Sequence, residues 1–363
     1  MNNKVLVIGP TNAGALPESY ARAFERLGME VVRFDSEQAQ MQASRFTGNR
    51  ILRRALRSSL WNAVNREAIE VAERVRPALI FAVKCSFFHP ETIRQIRKSV
   101  GVPFVNHYPD HPYIGIRWDP REASALRRDL IEVLRQYSIV WMWERSLVER
   151  LRRDGVEAKY LPFAVDPEIS RPQSVAEGLH CDACHITHDV AFVATYTRFR
   201  CAEVAAIRKH TIAIWGGNWP QKWRTLAGQH RAHPPVWGSA VGDIYARAPV
   251  SLNVLNAENL GGPNMRTFEI PGSGGVMLAR YSPEQHEFFP ENEAAVYYRT
   301  PMEIDDKIDW LLRDPELRAR VRRNAARLAA EQTYDVRAAT VLRECGLSVS
   351  ATPRLANPRS LTT

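Results

Sequence analysis

Residues 4–35 carry KVLVIG (Lys4–Gly9), PESYARAFERLG (Pro17–Gly28) and MEVVRFD (Met29–Asp35). The first is a short apolar, β-branched run that stops at a glycine. The second repeats its apolar residues at helical spacing and ends at Gly28, and the third is again strand-like. Strand, helix and strand joined by short connections form a β-α-β unit, and such units build a parallel sheet covered by helices. The chain is therefore read as an α/β protein.

The same alternation continues outward. PALIFAV, PETIRQIRKSV, VPFVNHY, a helix from Arg121 to Gln136, SIVWMW, ERSLVERLRRDG and AKYLPF complete one doubly wound domain over 1–163. Periodicity fails over 164–188, where prolines punctuate a polar stretch, so that segment is expected to link two domains. It restarts with DVAFVATY, a helix near Arg200–Lys209, TIAIWGG, DIYARAP, VSLNVLN, VMLAR and AAVYYR, giving a second α/β domain over 189–335. A closing helix is expected over 336–347 and a loose Ser/Thr/Pro-rich tail over 348–363.

A length of 363 residues suits about two domains. Hydrophobic residues at 45% and charged residues at 25% are ordinary for a globular chain and exclude disordered and collagen-like classes. Five cysteines are too few and too odd for a disulfide framework. The chain shows no apolar run long enough to cross a bilayer and no leader before its first strand, so a cytoplasmic location is expected, with peripheral membrane contact as a variant. Lys+Arg 49 against Asp+Glu 40 gives +9, mostly arginine, a composition that points either to anionic ligands or surfaces or to genomic base bias. Six arginines fall between Glu37 and Glu67 with no acidic residue among them. Residues 45–66 thus read as a basic amphipathic helix that meets an anionic membrane or packs its apolar side on the sheet. Nucleic acid is not expected as a partner, because this charge is local to one segment beside a complete two-domain pattern.

Several positions carry candidate chemistry. Gly9, Thr11, Asn12 and Gly14 form a glycine turn between a strand and a helix, a place where backbone amides face a phosphate. Thr11 replaces the middle glycine of a dinucleotide fingerprint, while Asp35 ends the second strand as that fingerprint requires, so a nicotinamide site stays open as an alternative. At the end of VPFVNH, His107 and Asp110 are candidates for proton transfer or for stabilising positive charge. Cys181, Cys184, His185 and His188 have ligand types and spacing for structural zinc, although four donors so close together are cramped; an irregular linker is the alternative. In VSLNVLNAENLGGPNMRTFEIPGSGGVMLARYSPEQHEFF (250–289), a strand ends, a polar loop follows, and a helix near Asn264 carries Arg266 and Glu269. Asparagine can cap the helix, arginine can neutralise a phosphate and glutamate can accept both hydrogen bonds of a ribose diol. Gly272, Gly274 and Gly275 then allow close approach of a ligand or of the next strand.

The run NMRTFEIPGSGGVML, followed by ExxxFF, VYY, DWLL and EQTYDVR, resembles the CgeB-like, spore-maturation type glycosyltransferases. NHYPDHP, LPFAVDP, DVAFVATYTRFR, IAIWGGNW and VSLNVLN fall in the matching order. The resemblance implies a GT-B architecture, two Rossmann-like domains whose parallel sheets face each other across a cleft. It also implies a nucleotide-sugar donor as substrate, no cofactor and no required metal, with the N-terminal domain on the acceptor side. On that basis Glu269 takes the ribose, Arg266 and Asn264 lie near the diphosphate with Gly272 to Gly275 beside it, and Asp110 or His107 acts on the acceptor hydroxyl. Gly261 stands where related retaining families carry an earlier glutamate, with Glu258 nearby, so the stereochemical outcome stays open. Ala194 replaces a glycine usual after the first strand of the second domain. The resemblance implies as acceptor a hydroxyl of a glycan, lipid-linked, protein or small molecule. The rival readings are an NAD(P) oxidoreductase and a non-catalytic sugar-binding protein on the same fold.

Overall fold

The computed structural model describes residues 2–12, 14–43, 57–85, 87–113, 129–170, 179–181, 186–219, 230–256 and 261–348. The chain divides into two compact units, Met1–Pro162 with Asp335–Pro353, and Phe163–Tyr334.

The first unit contains strands β1 (Lys4–Gly9), β2 (Glu30–Asp35), β3 (Leu79–Val83), β4 (Phe104–His107), β5 (Ile139–Met142) and β6 (Ala158–Tyr160). They form one parallel sheet in the order β2-β1-β3-β4-β5-β6. Val5, Leu6, Ile8, Ile80, Phe81 and Val105 are fully buried, as expected of strands covered on both faces. Helices α1 (Leu16–Arg26), α2 (Ser36–Ala43), α3 (Arg57–Val75), α4 (Pro90–Val100) and α5 (Arg145–Arg153) flank it. In α1, Tyr20, Ala21, Ala23 and Phe24 make the inner stripe and Pro17 occupies the first turn, where its missing N–H costs nothing. Gly101 ends α4 at φ +74, a left-handed cap that a side chain would strain.

The second unit contains a hairpin, β7 (Leu179–Cys181) with β8 (Ile186–His188), and a parallel sheet of β9 (Val190–Val193), β10 (Ile212–Trp215), β11 (His230–His233), β12 (Val250–Asn253), β13 (Met277–Arg280) and β14 (Val296–Tyr298). The sheet order is β11-β10-β9-β12-β13-β14. Its helices are α6 (Arg198–Ala205), α7 (Ser239–Arg247), α8 (Met265–Gly272), α9 (Pro283–Phe288), α10 (Ile304–Arg313) and α11 (Pro315–Ala330). Helix α12 (Tyr334–Glu344) then rejoins the first unit, where Asp335 takes a two-pronged ion pair from Arg26 of α1 and Arg337 donates to the Pro162 carbonyl.

Some expectations differ from this architecture. The segment read as a linker opens inside the second unit: Val165 bridges to Thr333, and β7 with β8 supplies an antiparallel pair. Polar, short pairings of this kind leave no apolar period to read. Strand β11 carries no apolar pattern for the same reason, because HRAH places polar residues on a sheet edge. Parts of the expected helix at 121–136 and of the basic segment at 45–66 lie outside the described residues. Among the described residues, no helix is long and apolar enough to cross a membrane.

Candidate active site

Ligands of open α/β sheets collect at the carboxyl ends of strands, where the strand order reverses. That reversal lies between β1 and β3 in the first unit and between β9 and β12 in the second.

At the second reversal, Asn264 caps α8. Its Oδ1 accepts the Thr267 amide at 3.0 Å, and Thr267 Oγ1 accepts the Asn264 amide at 3.1 Å. Asn264 Nδ2 donates to Asn253 Oδ1 at 2.8 Å, and Gln285 Oε1 lies 3.1 Å from Asn253 Nδ2 and 2.7 Å from Thr267 Oγ1. All four side chains are buried. Asn264, expected near a diphosphate, is thus engaged by the protein itself, and it fixes where α8 starts relative to β12.

Arg266 follows in the first turn of α8. Its Nε donates to the carbonyl of Val193, the last residue of β9, which pins the guanidinium to the reversal point. It makes no ion pair among the described residues. Glu269 stands three residues further along, on the same helix face. Burial raises its pKa above the ordinary carboxyl value; Arg266 opposes that rise and the buried Asp166 adds to it. Among the described residues no donor reaches the Glu269 carboxylate. A half-buried carboxylate without a donor is costly, and a ligand offering hydroxyls removes that cost.

The glycines after α8 answer to packing. A Cβ on Gly272 would sit 2.7 Å from Val165 Cγ1, and one on Gly275 would sit 2.9 Å from Ile270 Cγ2 and 3.0 Å from the Tyr245 carbonyl. Gly274 has φ +77. The space on the Cβ side of Gly272 and Gly275 is therefore filled by the protein, so packing by itself requires glycine at both positions.

The first reversal is similarly occupied on one side. Asp35 accepts from Thr11 N at 3.3 Å, Thr11 Oγ1 at 2.5 Å, and the amides of Glu37 and Gln38 at 2.9 Å. Burial acts to raise its pKa, but these hydrogen bonds outweigh it and lower the carboxyl below its ordinary value. Asp35 and Thr11 thus tie the β1 loop to the start of α2. A Cβ on Gly9 would meet Pro17 Cγ at 2.5 Å, so that glycine admits α1. The Asn12 carbonyl accepts the Ala15 amide, and Gly14 takes φ +82.

Beyond β4 the two acceptor-side candidates separate. His107 is fully buried with Nδ1 2.9 Å from the Tyr20 hydroxyl. Asp110 is about half exposed and pairs with Lys84 at 2.6 Å. Sequence reading had no means to find Lys84, which lies in a different strand connection. It also missed Trp215 stacked on His233 with centroids 4.8 Å apart, and Trp237, 66% exposed, beyond the unread β11.

Of the zinc candidates, Cys184 and His185 lie outside the described residues. His188 is buried beside His233, and burial foremost lowers its pKa. Among the described residues, no group of three or more His, Cys, Asp or Glu side chains is arranged to hold a metal.

Residues 197–343 match a family model described as glycosyl transferase-like. Sucrose-phosphate synthase from Thermosynechococcus elongatus is similar in structure, with 12% identity, a TM-score of 0.70, and coverage of 94% of this chain and 98% of that one. HepE of Anabaena, solved with UDP-glucose, shares 12% identity at a TM-score of 0.61, with the same 94% and 98% coverage. The fold is GT-B. The T4 phage β-glucosyltransferase shows the same GT-B likeness at 10% identity and a TM-score of 0.57, over 95% of this chain and 100% of that one. A search of the curated proteins found no match. Within this GT-B chain, the matched interval opens at Thr197, the N-cap of α6, and contains Arg266 and Glu269, whereas Asp110 and Lys84 precede it.

Proposed function

We propose that the protein is a glycosyltransferase of the CgeB-like type, moving a sugar from a nucleotide-sugar donor to a hydroxyl acceptor. The observation that carries this reading is the pair formed by Arg266, pinned at the β9–β12 reversal, and Glu269, a half-buried carboxylate awaiting donors. In the proposed complex Glu269 accepts the ribose hydroxyls and Arg266 stabilises the diphosphate, so the reaction draws its positive charge from protein and requires no metal. UDP is the proposed nucleotide, because HepE was solved with UDP-glucose.

Asp110 is the proposed proton acceptor. The acceptor oxygen forms its bond to the sugar C1 as the C1–oxygen bond to the diphosphate breaks with its electron pair. The hydroxyl proton passes to Asp110, which makes the proposed step a direct, inverting displacement. His107, sealed with Tyr20, supports the strand that carries this loop. The acceptor is a glycan, lipid-linked, protein or small-molecule hydroxyl, and the enzyme works in the cytoplasm, with residues 45–66 meeting an anionic membrane. Titration calorimetry with UDP-, GDP-, TDP- and CMP-linked sugars tests the reading: UDP-sugar binding that Glu269→Ala abolishes supports it, and no binding by any member of the panel refutes it.

A further inference from the structure

We propose that Lys84 is the positioning residue for the Asp110 carboxylate; this rests on Asp110 as the proton acceptor of the transferase reading. Lys84 comes directly after β3, at the reversal point of the first sheet, with φ +63, and Cys85 follows with φ +46. Two consecutive non-glycine residues in the left-handed region are unfavourable and persist only where their surroundings over-determine them. Here the neighbouring strand does so. The Lys84 amide donates to the His107 carbonyl at 3.0 Å, and Asn106 Nδ2 donates to the Lys84 carbonyl at 3.1 Å. The Cys85 thiol donates to the Val83 carbonyl at 3.2 Å.

This strained turn presents an ammonium 2.6 Å from Asp110, in a pair whose side chains are 52% and 51% exposed. The hydrogen bonds to His107 and from Asn106 already hold the turn, and an ion pair so open to water adds little stability. The effect of the pair is therefore chiefly to fix one carboxylate in one place. The loop is fastened beyond Asp110 as well: the Tyr113 hydroxyl donates to Asp154 Oδ2 at 2.6 Å, and the Arg150 guanidinium lies 3.7 Å from the Tyr113 ring centroid. The backbone is thus held independently, and Lys84 is left to fix the carboxylate itself.

Crystal structures of the wild type, Lys84→Met and Lys84→Arg, with turnover of UDP-glucose by each, test this. The Asp110 carboxylate is expected to leave its place in Lys84→Met while the Tyr113 anchor stays, and to return in Lys84→Arg. For Lys84→Met, kcat is expected to fall about tenfold with the KM for UDP-glucose unchanged, as befits loss of orientation rather than of binding. In an Asp110→Asn background the same substitution is expected to add no further loss. An unmoved Asp110 in Lys84→Met, or an undiminished additional loss in the Asp110→Asn background, overturns the assignment. Full turnover by Lys84→Met overturns the role of Lys84 alone, whereas full turnover by Asp110→Asn overturns the proton-acceptor reading beneath it.

Discussion

His107 Nδ1 lies 2.9 Å from the Tyr20 hydroxyl, and neither side chain is exposed to solvent. Burial, reinforced by the Arg337 charge, pushes the imidazole down to about 3, so the folded protein holds it neutral. A ring enclosed in this way takes no proton from a dissolved hydroxyl; it ties the end of β4 to α1.

That depression makes stability depend on pH. The unfolded histidine titrates near its ordinary value, so the contribution is complete above about 6.5 and is lost as pH falls from there toward the folded value. Between pH 7.5 and pH 5 the wild type is expected to lose about 2 kcal/mol more than His107→Gln. Urea unfolding at the two pH values measures it, and equal losses in both proteins would remove the account.

Glu269 has a raised pKa, so its carboxyl favours the folded state when protonated and penalises it once ionised. Glu269→Gln is therefore expected to melt no lower than the wild type at neutral pH. Its affinity for UDP-glucose is expected to fall roughly 10- to 100-fold, the value of hydrogen bonds to a charged acceptor. Calorimetry and thermal melts on the same samples decide; a lower melting point with intact affinity would mark a structural carboxylate.

Gly272→Ala should behave in the opposite way. Its new methyl would lie 2.7 Å from Val165 Cγ1. Overpacking of this kind costs about 1–3 kcal/mol. The melting temperature is expected to drop while affinity for UDP-glucose in the surviving folded protein stays unchanged, and the reverse pattern would place the ligand against that loop.

Asp35 bears on the dinucleotide alternative. Its carboxylate already accepts two hydrogen bonds from Thr11 and one each from the Glu37 and Gln38 amides, and its position at the β2 end serves as a cap for α2. NAD(P)H fluorescence is expected to be unaffected by the protein, and Asp35→Ala is expected to lose about 1–2 kcal/mol of stability. Because the folded pKa is lowered, that contribution is present above the ordinary carboxyl value and fades as pH falls below it. Enhanced nicotinamide fluorescence that Asp35→Ala abolishes would revive the alternative.

Much of the architecture was legible because it is periodic. KVLVIG, LIFAV, VAFV and MLAR are short apolar runs bounded by turns, as strands of a covered parallel sheet are, and helices such as Leu16–Arg26 and Pro90–Val100 show their inner stripe along the chain. HRAH was not legible, since an edge strand buries too little to need an apolar pattern. At the site, Arg266 and Glu269 were found because their separation on one helix face is a property of the helix itself. Lys84 was not, because its pairing with Asp110 depends on how β3 and β4 lie side by side.

The sequence by itself determined the alternation of strands and helices, and with it the class of fold and a helix that shows an arginine and a glutamate on one face. Only the tertiary structure decided which polar groups remain available to a ligand. Asn264, Asp35, Gly272 and His107 each have the chemistry of a site residue, but neighbours brought from elsewhere in the chain occupy them, whereas no hydrogen-bond donor among the described residues reaches the Glu269 carboxylate. Hydrogen-bond satisfaction and free space are properties of contacts across the fold, and no spacing along the chain encodes them.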